Sequence, residues 1–194
     1  MRYIGLTGSI ATGKSTVTQF FREAGVPVID TDQITQQLQQ NPQVLQQLAR
    51  TFGQKILQAD GSLNRHVLGA IIFHDADQRR RLDALMHPLI KKELLRQAAE
   101  YVVPVVIFDV PLLFETDYYQ LCDQTIVVAV DEKTQLQRLC QRDGCDEALA
   151  KAKIASQLPI LTKIKQADYV IDNQGTLEMT KKQVQQLVDK LAMI

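Results

Sequence analysis

The stretch of residues 8–15, GSIATGKS, constrains the fold of this chain more than any other feature. It follows an apolar run at residues 3–6 that is typical of a buried strand, and it leads into residues 16–21, whose apolar positions recur at helical spacing. The pattern G-x-x-x-x-G-K-[ST] between a strand and a helix indicates a phosphate-binding loop, in which backbone N–H groups and a helix N-terminus converge on phosphate oxygens. The alternative interpretation is a glycine turn between a strand and a core helix.

Individual loop residues have distinct expected roles. Gly8 and Gly13 permit backbone angles and a close approach that a Cβ would block. Lys14 should reach the β- and γ-phosphates of a bound nucleotide, and the Ser15 hydroxyl is the expected ligand of Mg²⁺. The predicted nucleotide contacts in this loop are Gly8, Ala11, Thr12, Gly13, Lys14, Ser15 and Thr16.

Composition limits the classes of partner. The 194 residues are 45% apolar, and 22 basic and 22 acidic side chains balance, so nothing favours nucleic acid or a membrane surface as a general partner. No stretch is apolar and long enough to span a membrane, and the chain starts directly in its first strand without a leader pattern. Three cysteines without a C-x-x-C pair predict reduced thiols in a cytoplasmic protein.

The hydrophobic pattern predicts four further strands, at residues 27–29, 102–108, 125–130 and 169–171. Helical patterns separate them, which predicts one α/β domain of three layers with a five-stranded parallel sheet. Residues 33–100 lack a convincing strand, and we expect a helical insertion there.

Within this insertion, prolines and capping residues predict the helix boundaries. Asn41-Pro42 should divide two glutamine-rich helices, and a third helix should end at Phe73. Asp75 can cap a fourth helix, and Pro88 suits the first turn of a fifth that continues to about residue 99.

Two arginines follow the fourth predicted strand. Arg138 and Arg142 are spaced i, i+4 and therefore share one helix face. Asp143-Gly144 interrupts that helix, and a second helical arm runs over residues 146–157. A pair of basic side chains here is suited to a lid that closes on phosphates, predicted over residues 138–160, although surface arginines are usually only solvated.

Carboxylates follow two of the predicted strands. Ligands of open parallel sheets gather beyond the carboxyl ends of the strands, so Asp30, Asp32 and Asp109 should lie on the same rim as the glycine loop. Asp32 is the candidate general base for an acceptor hydroxyl, and Asp109 the candidate magnesium carboxylate. Helix capping by Asp30 or Asp32, and a merely polar strand end at Asp109, are the alternatives.

The three histidines carry weaker signals. His87, before Pro88, could contact a ligand, but a lone histidine is more often a structural hydrogen-bonding group. The same holds for His66 and His74.

With these residues assembled, the chain resembles the dephospho-coenzyme A kinases over nearly its full length. The matching landmarks, in order, are GLTG before the phosphate loop, Asp30-Thr31-Asp32, His87-Pro88-Leu89-Ile90, DVPLLFE at residues 109–115, residues 138–143, Gln157, and ADYVIDN at residues 167–173 with Gly175.

The resemblance implies a P-loop kinase fold with a core, a helical acceptor-binding insertion and a helical lid. It implies transfer of the γ-phosphate of ATP to the ribose 3′-hydroxyl of dephospho-coenzyme A, with Mg²⁺ as the cofactor. By the same resemblance, Asp32 is the base, Lys14, Arg138 and Arg142 assist catalysis, and Asn173 lies near the adenine. The implied acceptor contacts are Asp32, His87, Pro111, Leu112, Leu113 and Phe114.

Two departures from the family pattern stand out. Ser9 and Ala11 occupy positions where family members often carry glycine, which should stiffen the loop slightly. Lys153 stands where an arginine is common, and a lysine there cannot make a bidentate phosphate contact.

Two other functions use the same features. A kinase of another small molecule or nucleoside would need the same loop, lid and carboxylate. A nucleotide-dependent switch is less favoured, because the Asp-x-x-Gly match at residues 172–175 follows the last strand and the sequence contains no Asn-Lys-x-Asp motif.

Overall fold

The computed structural model describes residues 1–73 and 75–192. Its sheet has five parallel strands in the order β2-β3-β1-β4-β5. The strands are β1 (Arg2–Gly8), β2 (Val28–Asp30), β3 (Val105–Asp109), β4 (Gln124–Ala129) and β5 (Tyr169–Asp172). The predicted α/β class with a five-stranded parallel sheet is therefore confirmed.

Helices make up most of the remaining structure. They are α1 (Lys14–Glu23), α2 (Thr31–Leu38), α3 (Pro42–Phe52), α4 (Arg65–Phe73), α5 (Ala76–Ala98), α6 (Glu132–Asp143), α7 (Glu147–Ala155), α8 (Ile160–Gln166) and α9 (Leu177–Ala192). The chain divides into two compact units, one formed by Met1–Asp30 with Glu100–Ile194 and the other by Thr31–Ala99. Within the described ranges, no helix is both long and apolar enough to cross a membrane.

The first unit has helices on both faces of its sheet. On one face, α1 and α9 pack against alternate residues of the central strands, among them Ile4 of β1, Ile107 of β3 and Ile126 of β4. On the other, Ile160 of α8 packs against Val127 of β4. Successive strand residues point to opposite faces, so inner strands covered on both sides must be apolar throughout.

The second unit is helical, and its caps follow the sequence closely. Asn41 Oδ1 accepts hydrogen bonds from the backbone N–H groups of Gln43 at 2.9 Å and Val44 at 3.4 Å, and α3 begins at Pro42. Asn64 Oδ1 accepts from the N–H of Val67 at 3.1 Å and caps α4. The predicted break at Asn41-Pro42 is confirmed.

One predicted boundary in this unit is wrong. Pro88 does not begin a new helix, because it lies inside the continuous 23-residue helix α5. A proline in a helix interior removes one backbone hydrogen bond and costs about 3 kcal/mol. The buried residues Met86, Ile90, Leu94 and Ala98 continue one face across this point, so packing of that face outweighs the cost.

Two strand and helix predictions also need correction. β3 begins at Val105 rather than residue 102, and Val102 is 100% exposed. The short helix α8, which follows Pro159, was not predicted. Its seven residues are too few to show a clear helical period.

Candidate active site

The glycine loop joins the central strand β1 to α1 through two left-handed residues. Ala11 has φ +62° and Gly13 has φ +85°. Alternation of right- and left-handed residues turns successive N–H groups toward one side, which forms an anion-binding concavity. The carbonyl of Gly13 then accepts from the N–H groups of Thr16 and Val17, at 3.0 and 3.3 Å, and α1 begins.

Asn173, directly after β5, holds the glycine loop through its side chain. Its side chain is buried; Nδ2 donates to the carbonyl of Thr12 at 2.8 Å, and Oδ1 accepts from the Thr180 hydroxyl at 2.8 Å. A Cβ on Gly13 would lie only 2.1 Å from Asn173 Nδ2. Gly13 is therefore required by this contact as well as by its positive φ.

Lys14, at the start of α1, contacts Asp109, at the end of β3. Asp109 lies opposite Leu6 in the pairing of β3 with β1, and its side chain is 4% exposed. Lys14 Nζ forms an ion pair with Asp109 Oδ1, and the Thr18 hydroxyl donates to Asp109 Oδ2 at 2.7 Å. The loop lysine and the strand-end carboxylate, both predicted site residues, are thus in direct contact.

A cavity of about 390 Å³ opens over the loop. Three of its lining side chains, Lys14, Arg138 and Arg142, are cations, which gives a net-neutral chain a local site for a polyanion. The lining residues are Gly8, Ser9, Ile10, Ala11, Gly13, Lys14, Ser15, Pro111, Arg138, Arg142 and Gln157.

The two arginines of α6 are held differently. Arg138 donates to the backbone carbonyl of Asn173 at 3.0 Å. Arg142 Nε donates to Asp143 Oδ1 at 2.8 Å, and Lys153 Nζ pairs with Asp143 Oδ2 at 2.5 Å. Hydrogen bonds from Arg142 and then from Lys153 lower the pKa of Asp143 to about 2. Asp143 therefore forms ion pairs with both Arg142 of α6 and Lys153 of α7.

Two glutamines clamp the backbone of Ile10 in the loop. Gln157 Oε1 accepts from the N–H of Ile10 at 2.8 Å, and Gln135 Nε2 donates to its carbonyl at 2.8 Å. Gln135 lies in α6 and is 1% exposed. Sequence reasoning missed both contacts: it named Gln157 only as a landmark of the family resemblance and did not name Gln135, because a glutamine carries no local signal of its burial or of a distant partner.

The turn at residues 111–115 carries the predicted acceptor contacts. The carbonyl of Pro111 accepts from the Thr7 hydroxyl at 2.9 Å, which holds the start of the turn beside β1. Leu112 is 42% exposed, whereas Leu113 is fully buried, with its Cδ2 2.8 Å from where a Cβ on Gly5 would lie. Leu113 therefore packs beneath the turn.

The other side chain in this turn, Phe114, is half-buried, and its ring lies 6.4 Å from that of Tyr119. For all four residues of the turn, contact with an acceptor stays a prediction.

The remaining candidate residues belong to the second unit. Asp32 is exposed in the first turn of α2, two residues beyond the end of β2. His87 lies in α5, with Nε2 3.7 Å from Asp83 Oδ1, and His66 is exposed in α4. His74 lies outside the described residues. Catalysis by Asp32 and binding by His87 stay predictions.

The chemistry of Ser15 and Asp109 suits Mg²⁺. This ion keeps several waters and takes one or two protein oxygens together with phosphate oxygens, rather than a cage of side chains. In the described part of the chain, no group of three or more His, Cys, Asp or Glu residues could hold a metal. The Ser15 hydroxyl, in the first turn of α1, and the Asp109 carboxylate, at the end of β3, suit a metal ion that binds together with a nucleotide.

Comparison with known proteins agrees with this geometry. A family model described as dephospho-CoA kinase matches residues 2–179. The chain belongs to the dephospho-CoA kinase family. Among the family's curated members, the dephospho-CoA kinase of Shouchella clausii is 43% identical over 193 residues, which is 97% of this chain and 98% of the relative. That of Bacillus anthracis is 42% identical over 191 residues, 96% of each chain.

Solved structures support the same fold. A crystal structure from Thermus thermophilus has a TM-score of 0.86 at 29% identity and covers 98% of this chain and 97% of its own. A dephospho-CoA kinase from Campylobacter jejuni has a TM-score of 0.66 at 24% identity, with 100% and 98% covered. Shikimate kinase from Bacteroides thetaiotaomicron has a TM-score of 0.51 at 18% identity, with 97% and 98% covered. The family member described here therefore has a P-loop kinase fold.

Proposed function

We propose that this chain transfers the γ-phosphoryl group of ATP to the ribose 3′-hydroxyl of dephospho-CoA, which yields CoA and ADP. The observation that carries the proposal is the cationic cavity over the glycine loop, in a chain whose family match spans residues 2–179. That family match supplies the identity of the acceptor, which the phosphate site alone does not specify.

The loop supplies the donor site. Backbone N–H groups around Ala11 and Gly13 hold the phosphate oxygens, and Lys14 exchanges Asp109 for the β- and γ-phosphates when ATP binds. Arg138 and Arg142 stabilise negative charge that spreads over the transferred group. Ser15 and Asp109 are the residues that would hold Mg²⁺, and the ion would supply positive charge that offsets the charge of the phosphates.

The acceptor hydroxyl needs a base and an in-line geometry. Asp32 takes the proton of the 3′-hydroxyl while the oxygen of that hydroxyl forms a bond to the γ-phosphorus. The bond from the γ-phosphorus to the bridging oxygen breaks, and ADP leaves with the electron pair. Closure of the segment 138–160 excludes water, which would otherwise compete as the acceptor.

A direct test is consumption of ATP by the purified chain with Mg²⁺, with and without dephospho-CoA, while mass spectrometry follows the acceptor. We expect ADP formation that depends on dephospho-CoA, and a product heavier by one phosphoryl group that co-elutes with CoA. A panel of nucleosides and other small hydroxyl compounds serves as the control. Preference for one of these compounds, or no phosphorylation of dephospho-CoA, would contradict the proposal.

A further inference from the structure

Lys163 of α8 is a buried cation that the reaction described above does not use. Its side chain is 0% exposed, and its ammonium lies 2.8 Å from Glu115 Oε1. It also donates to the backbone carbonyl of Gly8 at 3.4 Å. A buried ammonium is costly unless it is paired, and a well-packed apolar side chain of similar volume is often at least as stabilising. Stability alone therefore does not explain a lysine at this position.

Three functional segments meet at this ion pair. Gly8 ends β1 and begins the phosphate loop, and Glu115 ends the turn at residues 111–115. Glu115 Oε1 also accepts from the N–H of Leu158 at 3.1 Å. The neighbouring residue, Gln157, accepts from the N–H of Ile10 in the loop. The donor loop, the turn and the end of the predicted lid thus share one connected set of hydrogen bonds.

We propose that the Glu115–Lys163 ion pair is a positioning element for phosphoryl transfer. It fixes the spacing between the phosphate loop, the turn that presents Pro111 to the cavity, and the end of α7. Neither charged side chain lines the cavity, so both act through the segments that they hold. The proposal rests on the proposed function, because it concerns the alignment of donor and acceptor in that reaction.

The size of the effect follows from the geometry of transfer. In-line displacement requires the reacting atoms to be about 3–3.5 Å apart, and a misplacement of about 1 Å can lower the rate about 10²-fold. Loss of the pair should therefore lower kcat more than it raises the KM for ATP, because loop residues that bind phosphate remain present.

The test compares Lys163→Met with Lys165→Met, an exposed lysine two residues away on the same helix. We expect Lys163→Met to fold but to melt below the wild type, because Glu115 loses its partner, to lose about 10-fold or more in kcat, and to change the KM for ATP less than about 3-fold. Lys165→Met should match the wild type in all three quantities. Wild-type kcat in folded Lys163→Met would overturn the proposal.

A double variant guards against loss of folding. Glu115→Gln/Lys163→Met removes both charges and keeps both volumes, so neither charge is left buried without its partner. We expect it to fold and to show the same loss of kcat as Lys163→Met, because the pair acts as one unit. Recovery of wild-type kcat in the double variant would show that the pair has no positioning role.

Hydrogen exchange provides a readout that does not depend on turnover. In Lys163→Met, the amides of Ile10 and Leu158 should exchange at least about 10-fold faster than in Lys165→Met, since the hydrogen bonds of both amides depend on the position of Glu115 and its neighbours. Unchanged exchange would contradict the proposal. If the wild type itself fails to phosphorylate dephospho-CoA, the proposed function fails, and hydrogen exchange still decides whether this pair holds the three segments together.

Discussion

Lys14 of the phosphate loop and Asp109 at the end of β3 form an ion pair at the carboxyl edge of the sheet. The carboxylate is almost fully buried, and its second oxygen accepts from the Thr18 hydroxyl. The same carboxylate that we propose for Mg²⁺ therefore holds the lysine that we propose for phosphate. Nucleotide binding has to exchange one partner of Lys14 for another.

Removal of the Asp109 charge should affect the metal requirement. We expect Asp109→Asn to lower kcat by about 10² or more and to raise the Mg²⁺ concentration needed for half-maximal activity, because charge stabilisation in the transition state is lost. Steady-state rates over a series of Mg²⁺ concentrations measure both effects. Thr18→Val is the control: it keeps both charges, should cost about 1–2 kcal/mol of folding stability, and should change the Mg²⁺ dependence much less. An Asp109→Asn variant with the wild-type Mg²⁺ dependence would refute the metal assignment.

Asn173 should matter through the loop that it supports. Asn173→Ala leaves the carbonyl of Thr12 without this donor and removes one of the two acceptors of the Thr180 hydroxyl, so we expect a loss of about 1–3 kcal/mol in folding stability. Binding of a non-hydrolysable ATP analogue should weaken by about 10-fold, since the loop N–H groups lose their fixed orientation. Calorimetry gives both quantities. Thr180→Val removes the hydrogen bonds of the Thr180 hydroxyl to Asn173 and Thr176 but keeps the one from Asn173 to Thr12, so it should have a smaller effect on binding. An equal effect would argue against support through Thr12.

The two left-handed residues of the loop should respond in opposite directions. Gly13→Ala introduces a Cβ within 2.1 Å of Asn173 Nδ2 at φ +85°, so we expect loss of nucleotide binding and of stability. Ala11→Gly relieves a residue at φ +62°, and we expect stability to rise by up to about 1 kcal/mol, because relief of strain exceeds the added unfolded-state entropy. Urea denaturation distinguishes the two. A less stable Ala11→Gly variant would show that the left-handed alanine is not strained.

The titration of Asp143 provides a test of the contacts around Arg142. Because the folded pKa of about 2 lies below the ordinary value, ionisation of Asp143 stabilises the folded chain above about pH 4, and this contribution is lost as the pH falls toward 2. Carbon-detected NMR should show no titration of Asp143 between pH 6 and about pH 3.5. Lys153→Met should raise this pKa, because one of the two cations is removed. A pKa near the ordinary value in the wild type would mean that Asp143 does not hold the cations in solution.

Asp32 is the proposed base, and its replacement should separate catalysis from binding. Asp32→Asn should lower kcat by about 10² to 10⁴, the usual contribution of a general base, while an ATP analogue binds nearly as before. Asp77→Asn, which changes an exposed carboxylate in the first turn of α5, is the matched control. Pre-steady-state phosphoryl transfer measures the chemical step. Near-wild-type transfer by Asp32→Asn would remove Asp32 from the mechanism.

The phosphate loop, the sheet and most helix boundaries could be predicted because their signals are local. Four constrained loop positions, nearly continuous apolar strands and capping residues such as Asp75 all act within a few residues of where they appear. The helix boundary predicted at Pro88 was wrong. A proline suits the first turn of a helix, and only the buried face of α5 shows that the helix continues through Pro88.

The support of the site could not be predicted in this way. Asn173 and Thr12 are 161 residues apart, and Lys163 reaches Gly8 across 155 residues. In the sequence, Lys163 lies in the stretch LTKIKQ and resembles an exposed lysine like Lys165. The residues that we propose for phosphate binding belong to a sequence motif, but the residues that hold them in place are identified only by tertiary contacts.

The strand order also has a consequence for how the chain is made. The central strand β1 pairs with β3 and β4, and β2 pairs with β3, so no strand has a partner until residues 105–109 have left the ribosome. Until then the apolar strand β1 has been synthesised without a neighbouring strand to pair with. The sheet that supports the phosphate loop therefore forms late in synthesis, and truncated or stalled chains that end before β3 cannot build this nucleotide site.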